Sequence, residues 1–192
     1  MDAPSLNIKY PYVAATNVFT PEELASIEQM GDRLEQGVAA VAQGQHHAVS
    51  KTRITRTAWI ERTPEAVWLY ERIERTAQLL NARTFQYDLR GFSDHFQYTV
   101  YHGVEGGHYD WHVDMLRPSG TQRKLSFSLQ LTDPSRYEGC DLQFMAGDGV
   151  ETAPRERGAL VAFPSFVLHR VTPVISGTRK SLVVWASGPG FR

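Results

Sequence analysis

Two histidine–aspartate pairs in the middle of the chain have residue types and a spacing that could do chemistry. His112 and Asp114 are two residues apart, and His108 and Asp110 repeat that spacing. In a β-strand, side chains two residues apart point to the same side, so the members of either pair could share one metal ion. Such a pair is also common on the polar side of a surface strand. Neither pair alone therefore indicates a metal site.

Two polar residues further along the chain change this interpretation. His169, in the stretch 167–171, follows the apolar residues Phe166 and Leu168, and Arg179 comes ten residues later in a largely apolar segment. A buried guanidinium needs an anion, because burying it unpaired is very costly. Two histidines and one carboxylate on one side of a rigid scaffold match the ligand set of non-haem iron(II) oxygenases, which leaves coordination positions open for a 2-oxo acid and dioxygen. Arginine suits the far carboxylate of such an acid because it can bind it with two hydrogen bonds.

The secondary structure that must position these residues is predicted to be helical near the N-terminus and mostly β-strand from His95 onward. Amphipathic helices are predicted to start at Thr20-Pro21 and at Thr63-Pro64, because threonine caps a helix and proline suits its first position. From His95 onward, apolar residues alternate with a period of two, which is typical of strands. Strands are predicted at residues 53–60, 95–101, 108–115, 125–131, 142–144, 160–163, 167–171 and 179–187, with turns at 118–120 and 176–177. This order favours a mainly β (α+β) fold, a β-sandwich or jelly roll with the N-terminal helices packed on one sheet.

Length and composition exclude several classes of protein. The 192 residues are 42% hydrophobic, which suits one domain with one core. The net charge is −1, and no run of five like charges is present, so we expect no nucleic-acid and no membrane partner. We find no export signal and no stretch of eighteen apolar residues. Cys140 is the only cysteine, which excludes an internal disulfide and suits a cytoplasmic location. The oligomeric state is not indicated.

The run Tyr101 to Asp114, YHGVEGGHYDWHVD, resembles the metal-binding strand of a known family. That family is the 2-oxoglutarate/Fe(II)-dependent dioxygenase superfamily, in its prolyl 4-hydroxylase-like group. Residues 125–141, 158–169 and 179–185 are similar to the same group in the same order, and residues 56–60 resemble it more weakly. The resemblance implies a double-stranded β-helix (jelly roll) in a single domain over residues 1–192. Helical support would occupy about residues 18–82, and the jelly-roll core about residues 92–187.

The resemblance also implies roles for particular residues. The implied Fe(II) ligands are His112, Asp114 and His169. The implied 2-oxoglutarate contacts are Arg179, Tyr101, Trp185 and Ser181. No catalytic residue is expected beyond this metal centre. The implied reaction uses O₂, hydroxylates an unactivated C–H bond, and releases succinate and CO₂. The carboxylate ligand favours hydroxylation over halogenation, because halogenating relatives lack it.

The substrate remains open at this point. A peptide or protein side chain of the prolyl type and an amino-acid-like small molecule both fit the implied reaction. Because no separate recognition domain is visible, we expect the mouth of the active site to select the substrate. The candidate selecting residues are Arg56, Trp59, Tyr109 and Arg123.

Other interpretations also remain open. The Trp-His-Val-Asp context favours His112 and Asp114 over the His108 and Asp110 pair as ligands. Other classes are a cupin-like metal enzyme and a non-catalytic jelly-roll ligand-binding module. The sequence weighs against the first because the short His-x-His spacing typical of cupins is absent, and against the second because such a module would not need His169 followed by Arg179. The metal is also open, because copper(II) and nickel(II) bind such ligands more tightly than iron(II). The remaining histidines, expected to be structural or at the surface, are His46, His47, His95 and His102.

Overall fold

A computed structural model of the chain describes residues 4–39, 41–43, 46–48, 52–115 and 121–191, with the backbone alone for 41–43 and 46–48. The turn predicted at residues 118–120 and the side chains of His46 and His47 lie outside this description. Neither helix in the described part of the chain is long and apolar enough to cross a membrane.

The described residues form two α-helices and seventeen β-strands. The helices are α1 (Pro21–Asp32) and α2 (Val67–Leu80), and α2 continues into a short π-helix, Asn81–Phe85. The strands before α2 are β1 (Ser5–Lys9), β2 (Tyr12–Thr16), β3 (Gly37–Val38), β4 (Val41–Gln43), β5 (His46–Ala48), β6 (Arg53–Ile54) and β7 (Arg56–Ile60). The strands after it are β8 (Gly91–Phe92), β9 (Phe96–His102), β10 (His108–His112), β11 (Thr121–Gln130), β12 (Tyr137–Gly139), β13 (Leu142–Ala146), β14 (Gly149–Thr152), β15 (Leu160–Pro164), β16 (His169–Val171) and β17 (Val174–Pro189).

Two antiparallel sheets face each other, as predicted for a jelly roll. The major sheet has the order β1-β2-β15-β11-β17-β9-β7-β3, and β8 and β12 also pair with β17. The minor sheet has the order β14-β13-β16-β10-β6. An apolar cluster between them joins Tyr101 and Phe163 of the major sheet to Phe144 and Val171 of the minor sheet. Most of the functional residues predicted from sequence line this space between the sheets.

The helices cover the outer face of the major sheet. Helix α1 starts with the predicted capping box, in which the Thr20 hydroxyl accepts from the Glu23 amide and the Glu23 carboxylate accepts from the Thr20 amide. Its buried residues Leu24 and Ile27 join one core with α2 and the strands of the major sheet. A β-carbon at Gly31 would lie 2.4 Å from the Tyr98 ring, so only glycine allows this close approach. The predicted packing of helices on one sheet is confirmed.

The period of two in the strands separates the two faces of the major sheet. On β11, Leu125, Phe127 and Leu129 belong to the core that includes the helices. The intervening residues, Ser126, Ser128 and Gln130, therefore point towards the minor sheet. The same alternation on β9 and β17 turns the polar residues Gln97, Thr99, Arg179 and Ser181 towards the cavity between the sheets. Buried polar side chains from these strands thus face the same cavity between the two sheets.

The structure differs from the predicted bounds of one strand and one helix. The strand predicted at 53–60 is divided at Thr55, whose hydroxyl donates to the carbonyl of Val100 at 2.9 Å. This break sends β6 to the minor sheet and β7 to the major sheet, so the N-terminal region supplies strands as well as helical support. The second helix begins at Val67 rather than at Pro64, because the Ala66 amide donates to the Thr63 carbonyl, three residues back, and closes a tighter turn first.

The turn predicted at residues 176–177 lies inside strand β17, so Arg179 does not open the last strand. Gly177 has a φ of +76°, and a β-carbon there would lie 2.1 Å from the carbonyl oxygen of Arg136. Glycine therefore serves a close approach between β17 and the segment leading into β12. Strands β1 and β2, which pair with each other and extend the major sheet through β15, were not predicted.

Candidate metal centre and co-substrate pocket

His112, Asp114 and His169 converge at the inner face of the minor sheet. His112 ends β10 and His169 begins β16, and the two residues are direct partners across these antiparallel strands. Asp114 lies beyond the end of β10, where its amide donates to the Ser165 carbonyl at 2.9 Å. Each imidazole Nε2 lies 3.6 Å from a different carboxylate oxygen of Asp114. One potential ligand atom from each residue lies within 4.8 Å of the others, so the three residues can bind one ion.

Hydrogen bonds at the back of both imidazoles determine which nitrogen is free. The Nδ1 atoms of His112 and His169 donate to the carbonyls of Asp110 and Val167, at 2.7 and 2.9 Å. Because a carbonyl only accepts, the proton of each neutral ring is on Nδ1 and the Nε2 lone pair faces Asp114. Burial lowers the pKa of His169, so its imidazole is neutral at neutral pH. Neutral imidazole is the form that binds metal ions.

The carboxyl group of Asp114 is ionised and oriented. Burial alone would raise its pKa, but positive charge on the His169 or His112 imidazole, when either ring is protonated, holds the pKa well below its usual range. The Ser126 hydroxyl donates to Oδ2 of Asp114 at 2.7 Å. Since that uses the only hydroxyl proton of Ser126, the Ser165 hydroxyl donates to Ser126 across 3.0 Å. Two imidazoles and one carboxylate with such supporting bonds fit an iron(II) ion.

Arg179 lies in the same cavity as this triad. Its side chain is only 2% exposed, and Nε and Nη2 donate to the Gln130 amide oxygen at 3.1 and 2.7 Å. That oxygen is neutral, and no ion pair joins Arg179 to an acidic residue in the described part of the chain. A buried cation in this state favours an anionic ligand.

Neighbouring residues complete a pocket suited to a carboxylate. The Tyr101 ring lies 5.6 Å from the Arg179 guanidinium, and burial raises the pKa of Tyr101 to about 12, so its phenol is neutral and can donate a hydrogen bond. The buried hydroxyl of Thr99 has no hydrogen-bond partner among the described residues. These groups line a cavity of about 390 Å³, together with the triad. The pocket therefore fits a small dicarboxylate such as 2-oxoglutarate.

The structure brings most of the predicted site residues together. Those that line the cavity are His112, Asp114, His169, Arg179, Tyr101, Trp185, Ser181, Trp59, Tyr109 and Arg123. Arg56 is not among them, because its exposed side chain pairs with Glu105 instead. The second histidine–aspartate pair also lies apart from the triad: Asp110 is exposed and accepts from the Trp111 amide, while the Nδ1 of His108 donates to the Gly106 carbonyl.

The structure also places residues in the site that sequence reasoning did not identify. They are Arg53, Gln97, Thr99, Ser126 and Gln130. A signal was present for most of them, because Gln97, Thr99, Ser126 and Gln130 alternate with apolar residues in predicted strands. Of the histidines expected to be structural or at the surface, His95 is exposed and His102 contacts the Thr178 hydroxyl at 3.2 Å.

Residues 96–187 match the family model described as the 2OG-Fe(II) oxygenase superfamily. A PKHD-type hydroxylase of Acaryochloris marina is 41% identical over 81 residues, which are 42% of this chain and 37% of that protein. The chain thus spans well under two thirds of the length of this curated relative. The match favours the oxygenase over the cupin-like and binding-module alternatives.

Two solved structures share the fold over most of their length. A prolyl-4-hydroxylase of Pseudomonas putida superposes with a TM-score of 0.72 and 22% identity, covering 94% of each chain. A Trichoplax adhaerens prolyl hydroxylase, solved in complex with a peptide fragment of hypoxia inducible factor, gives a TM-score of 0.75 and 19% identity over 92% of this chain and 83% of that one. The double-stranded β-helix is therefore confirmed. Residues 96–187 are thus similar to the 2OG-Fe(II) oxygenase superfamily, and the predicted resemblance to its prolyl 4-hydroxylase-like group is confirmed.

Proposed function

We propose that the protein is an Fe(II)- and 2-oxoglutarate-dependent dioxygenase that hydroxylates an unactivated C–H bond and releases succinate and CO₂. The observation that carries this proposal is that His112, Asp114 and His169 share one cavity with Arg179, a buried cation without a carboxylate partner among the described residues. The enzyme would act as a single domain within residues 1–192. A cytoplasmic location stays a prediction from the lone thiol of Cys140.

The triad residues would hold the metal in a fixed position. His112 and His169 would bind it through Nε2, and Asp114 through a carboxylate oxygen. The bound metal and 2-oxoglutarate would together activate O₂, which is the oxidant needed to break a C–H bond. The two backbone carbonyls behind the imidazoles and the Ser126 hydroxyl behind the carboxylate keep these ligands oriented. The protein's own contribution is therefore to hold the metal ligands in a fixed geometry, because the reacting groups must meet within a narrow range of distances and angles.

Arg179 would bind the distal carboxylate of 2-oxoglutarate. Gln130 accepts from two nitrogens of the guanidinium and so fixes its plane without neutralising its charge. Tyr101 and Thr99 add neutral hydroxyl groups in the same cavity, and the Trp185 ring forms part of its wall. Asp114, His169 and Arg179 are buried at the inner end of the cavity, which limits the access of bulk water to the reacting groups.

The substrate is proposed as a peptide or protein side chain of the prolyl type or an amino-acid-like small molecule. The T. adhaerens neighbour is described with a bound peptide fragment, which supports the first candidate. Three cavity residues at the proposed mouth, Trp59, Tyr109 and Arg123, remain candidates for contact with either substrate. Arg56 is left out of this proposal because it lies outside the cavity.

The first test is a spectroscopic titration without oxygen. Purified protein with Fe(II) and 2-oxoglutarate should give the weak visible charge-transfer band of the chelate. A ligand-binding module would stay colourless, and a cupin-like metal enzyme would bind the metal without the 2-oxoglutarate band. Admission of O₂ should then release succinate, and mass spectrometry of candidate peptides and amino acids should detect the gain of one oxygen atom in the substrate.

A further inference from the structure

A second cation, Arg53, lines the cavity and has no anionic partner in the described part of the chain. It lies on β6 of the minor sheet, and its Nη2 donates to the Gln97 amide oxygen at 3.0 Å. Its Nε is buried and makes no hydrogen bond among the described residues. No described carboxylate lies within 4.0 Å of its guanidinium nitrogens. Among the described residues, Arg53 therefore has an Nε donor without a hydrogen-bond partner and a charge without a carboxylate partner.

The other cations of the cavity are already accounted for. Arg123 forms an ion pair with Asp94 at 3.0 Å, and its guanidinium lies 3.6 Å from the centre of the Trp185 ring system. Arg179 is assigned to 2-oxoglutarate by the proposed function. The charges of iron(II), the Asp114 carboxylate, the 2-oxoglutarate dianion and Arg179 would cancel. Arg53 would then carry the one uncompensated charge among the cavity-lining residues.

The position of Arg53 places it beside the metal centre. Its guanidinium lies 4.6 Å from the centre of the Tyr109 ring, and that ring stacks on the His112 imidazole with centroids 3.4 Å apart. One aromatic ring thus separates Arg53 from an implied metal ligand. Trp59, which is 42% exposed, adds an apolar surface to the same cavity. A ligand held by Arg53 would lie next to the place where the C–H bond must react.

We propose that Arg53 binds a carboxylate of the substrate, so that the enzyme hydroxylates an anionic molecule at a C–H bond near that carboxylate. This inference rests on the proposed function and narrows its substrate class. The carboxylate has two chemical sources: a free amino-acid-like acid, or a peptide with a carboxylate at its C-terminus or on an acidic side chain. Arginine suits both, because its planar guanidinium can donate two hydrogen bonds to one carboxylate.

The test compares carboxylates with their matched amides. Calorimetry on the full chain loaded with Mn(II) and 2-oxoglutarate would use N-acetyl amino acids and their carboxamides, and short peptides with free or amidated C-termini. Wild-type protein should bind carboxylates about tenfold or more tightly than the amides, the loss expected when a charged hydrogen bond is removed. The preference should disappear in Arg53→Gln and persist in part in Arg53→Lys. Arg33→Gln, at an exposed position in an ion pair with Glu65, should behave as the wild type.

The arms of this experiment separate the possible results. A preference among the N-acetyl amino acids assigns the small acid as the source, and a preference among the peptides alone assigns the peptide. The inference is overturned if no carboxylate binds better than its amide, or if the preference survives in Arg53→Gln. Binding of Mn(II) and 2-oxoglutarate by the wild type is measured first. Its absence refutes the proposed function, whereas its presence without a carboxylate preference refutes the role of Arg53 alone. Should Arg53→Gln fail to fold, Arg53→Lys and the amide series still decide the question.

Discussion

The two faces of the major sheet carry opposite kinds of side chain on the same strands. On the face covered by the helices, Leu129, Leu182 and Tyr98 are completely buried, and the Tyr98 hydroxyl donates to Asp32 at 2.7 Å. On the face towards the cavity, Arg179 and Thr99 are almost as buried, but the Thr99 hydroxyl has no hydrogen-bond partner and Arg179 no carboxylate partner among the described residues. The side chains on the helix-covered face find their partners within the protein, whereas polar groups on the cavity face are left for a ligand.

This difference separates the residues that stabilise the fold from those proposed to bind ligands. Burying apolar groups against the helices lowers the free energy of the folded state without any ligand. Burying a guanidinium or a hydroxyl without a partner costs free energy unless a ligand supplies that partner. Substitutions on the two faces should therefore have different effects: loss of stability on the helix face, and loss of metal or 2-oxoglutarate binding on the cavity face.

The largest effect is expected at Asp114. Asp114→Asn removes the only carboxylate of the triad, so metal affinity should fall by at least about a hundredfold, because loss of even an outer hydrogen-bonding partner costs ten- to a hundredfold. Titration of Mn(II) or Fe(II) measures this change. Asp110→Asn is the matched control, since Asp110 has the same spacing to a histidine but is exposed and outside the triad. A larger loss in Asp110→Asn than in Asp114→Asn would show that the triad is assigned to the wrong pair.

On the helix face, Leu182→Ala should change stability and leave binding intact. Leu182 is fully buried in the core beneath the helices, so its truncation should cost about 2–5 kcal/mol of unfolding free energy. Chemical denaturation measures this cost. Metal and 2-oxoglutarate affinity of the folded protein should remain near the wild-type values. A large loss of affinity at full folding would mean that the two faces are not independent.

Much of the cavity face could be predicted because strand periodicity and motif resemblance agree there. His112, His169 and Arg179 lie on predicted strands, and the alternation of apolar residues aims them inwards. Arg53 could not be predicted, because its place depends on the break at Thr55, which is stabilised by a hydrogen bond to Val100, far away in sequence. Gln130 was also missed, since a lone glutamine in a strand has no meaning until the arginine it contacts is known.

Arg179→Ala should weaken 2-oxoglutarate binding while metal binding stays nearly unchanged. The charged hydrogen bonds that the variant loses are worth about 1.5–3 kcal/mol, or about ten- to a hundredfold in affinity. Titration of 2-oxoglutarate into the Mn(II)-loaded protein measures this. Lys180→Ala is the control, because Lys180 is the next residue on β17 and pairs with Asp32 on the opposite side. Unchanged 2-oxoglutarate affinity in Arg179→Ala would remove that residue from the pocket's function.

The smallest change concerns Ser126, which lies on the cavity face but supports the triad from behind. Its hydroxyl donates to Asp114 and accepts from Ser165, so Ser126→Ala removes the bond that orients the carboxylate and leaves Ser165 without its acceptor. Metal affinity should fall by about tenfold, the lower end of the range for partners behind a ligand. Ser128→Ala, two residues away on the same face and without a bond to the triad, should leave metal affinity unchanged. An equal loss of metal affinity in both serine variants would contradict this role of the hydrogen bond to Asp114. The general polarity of the cavity face would then explain the loss.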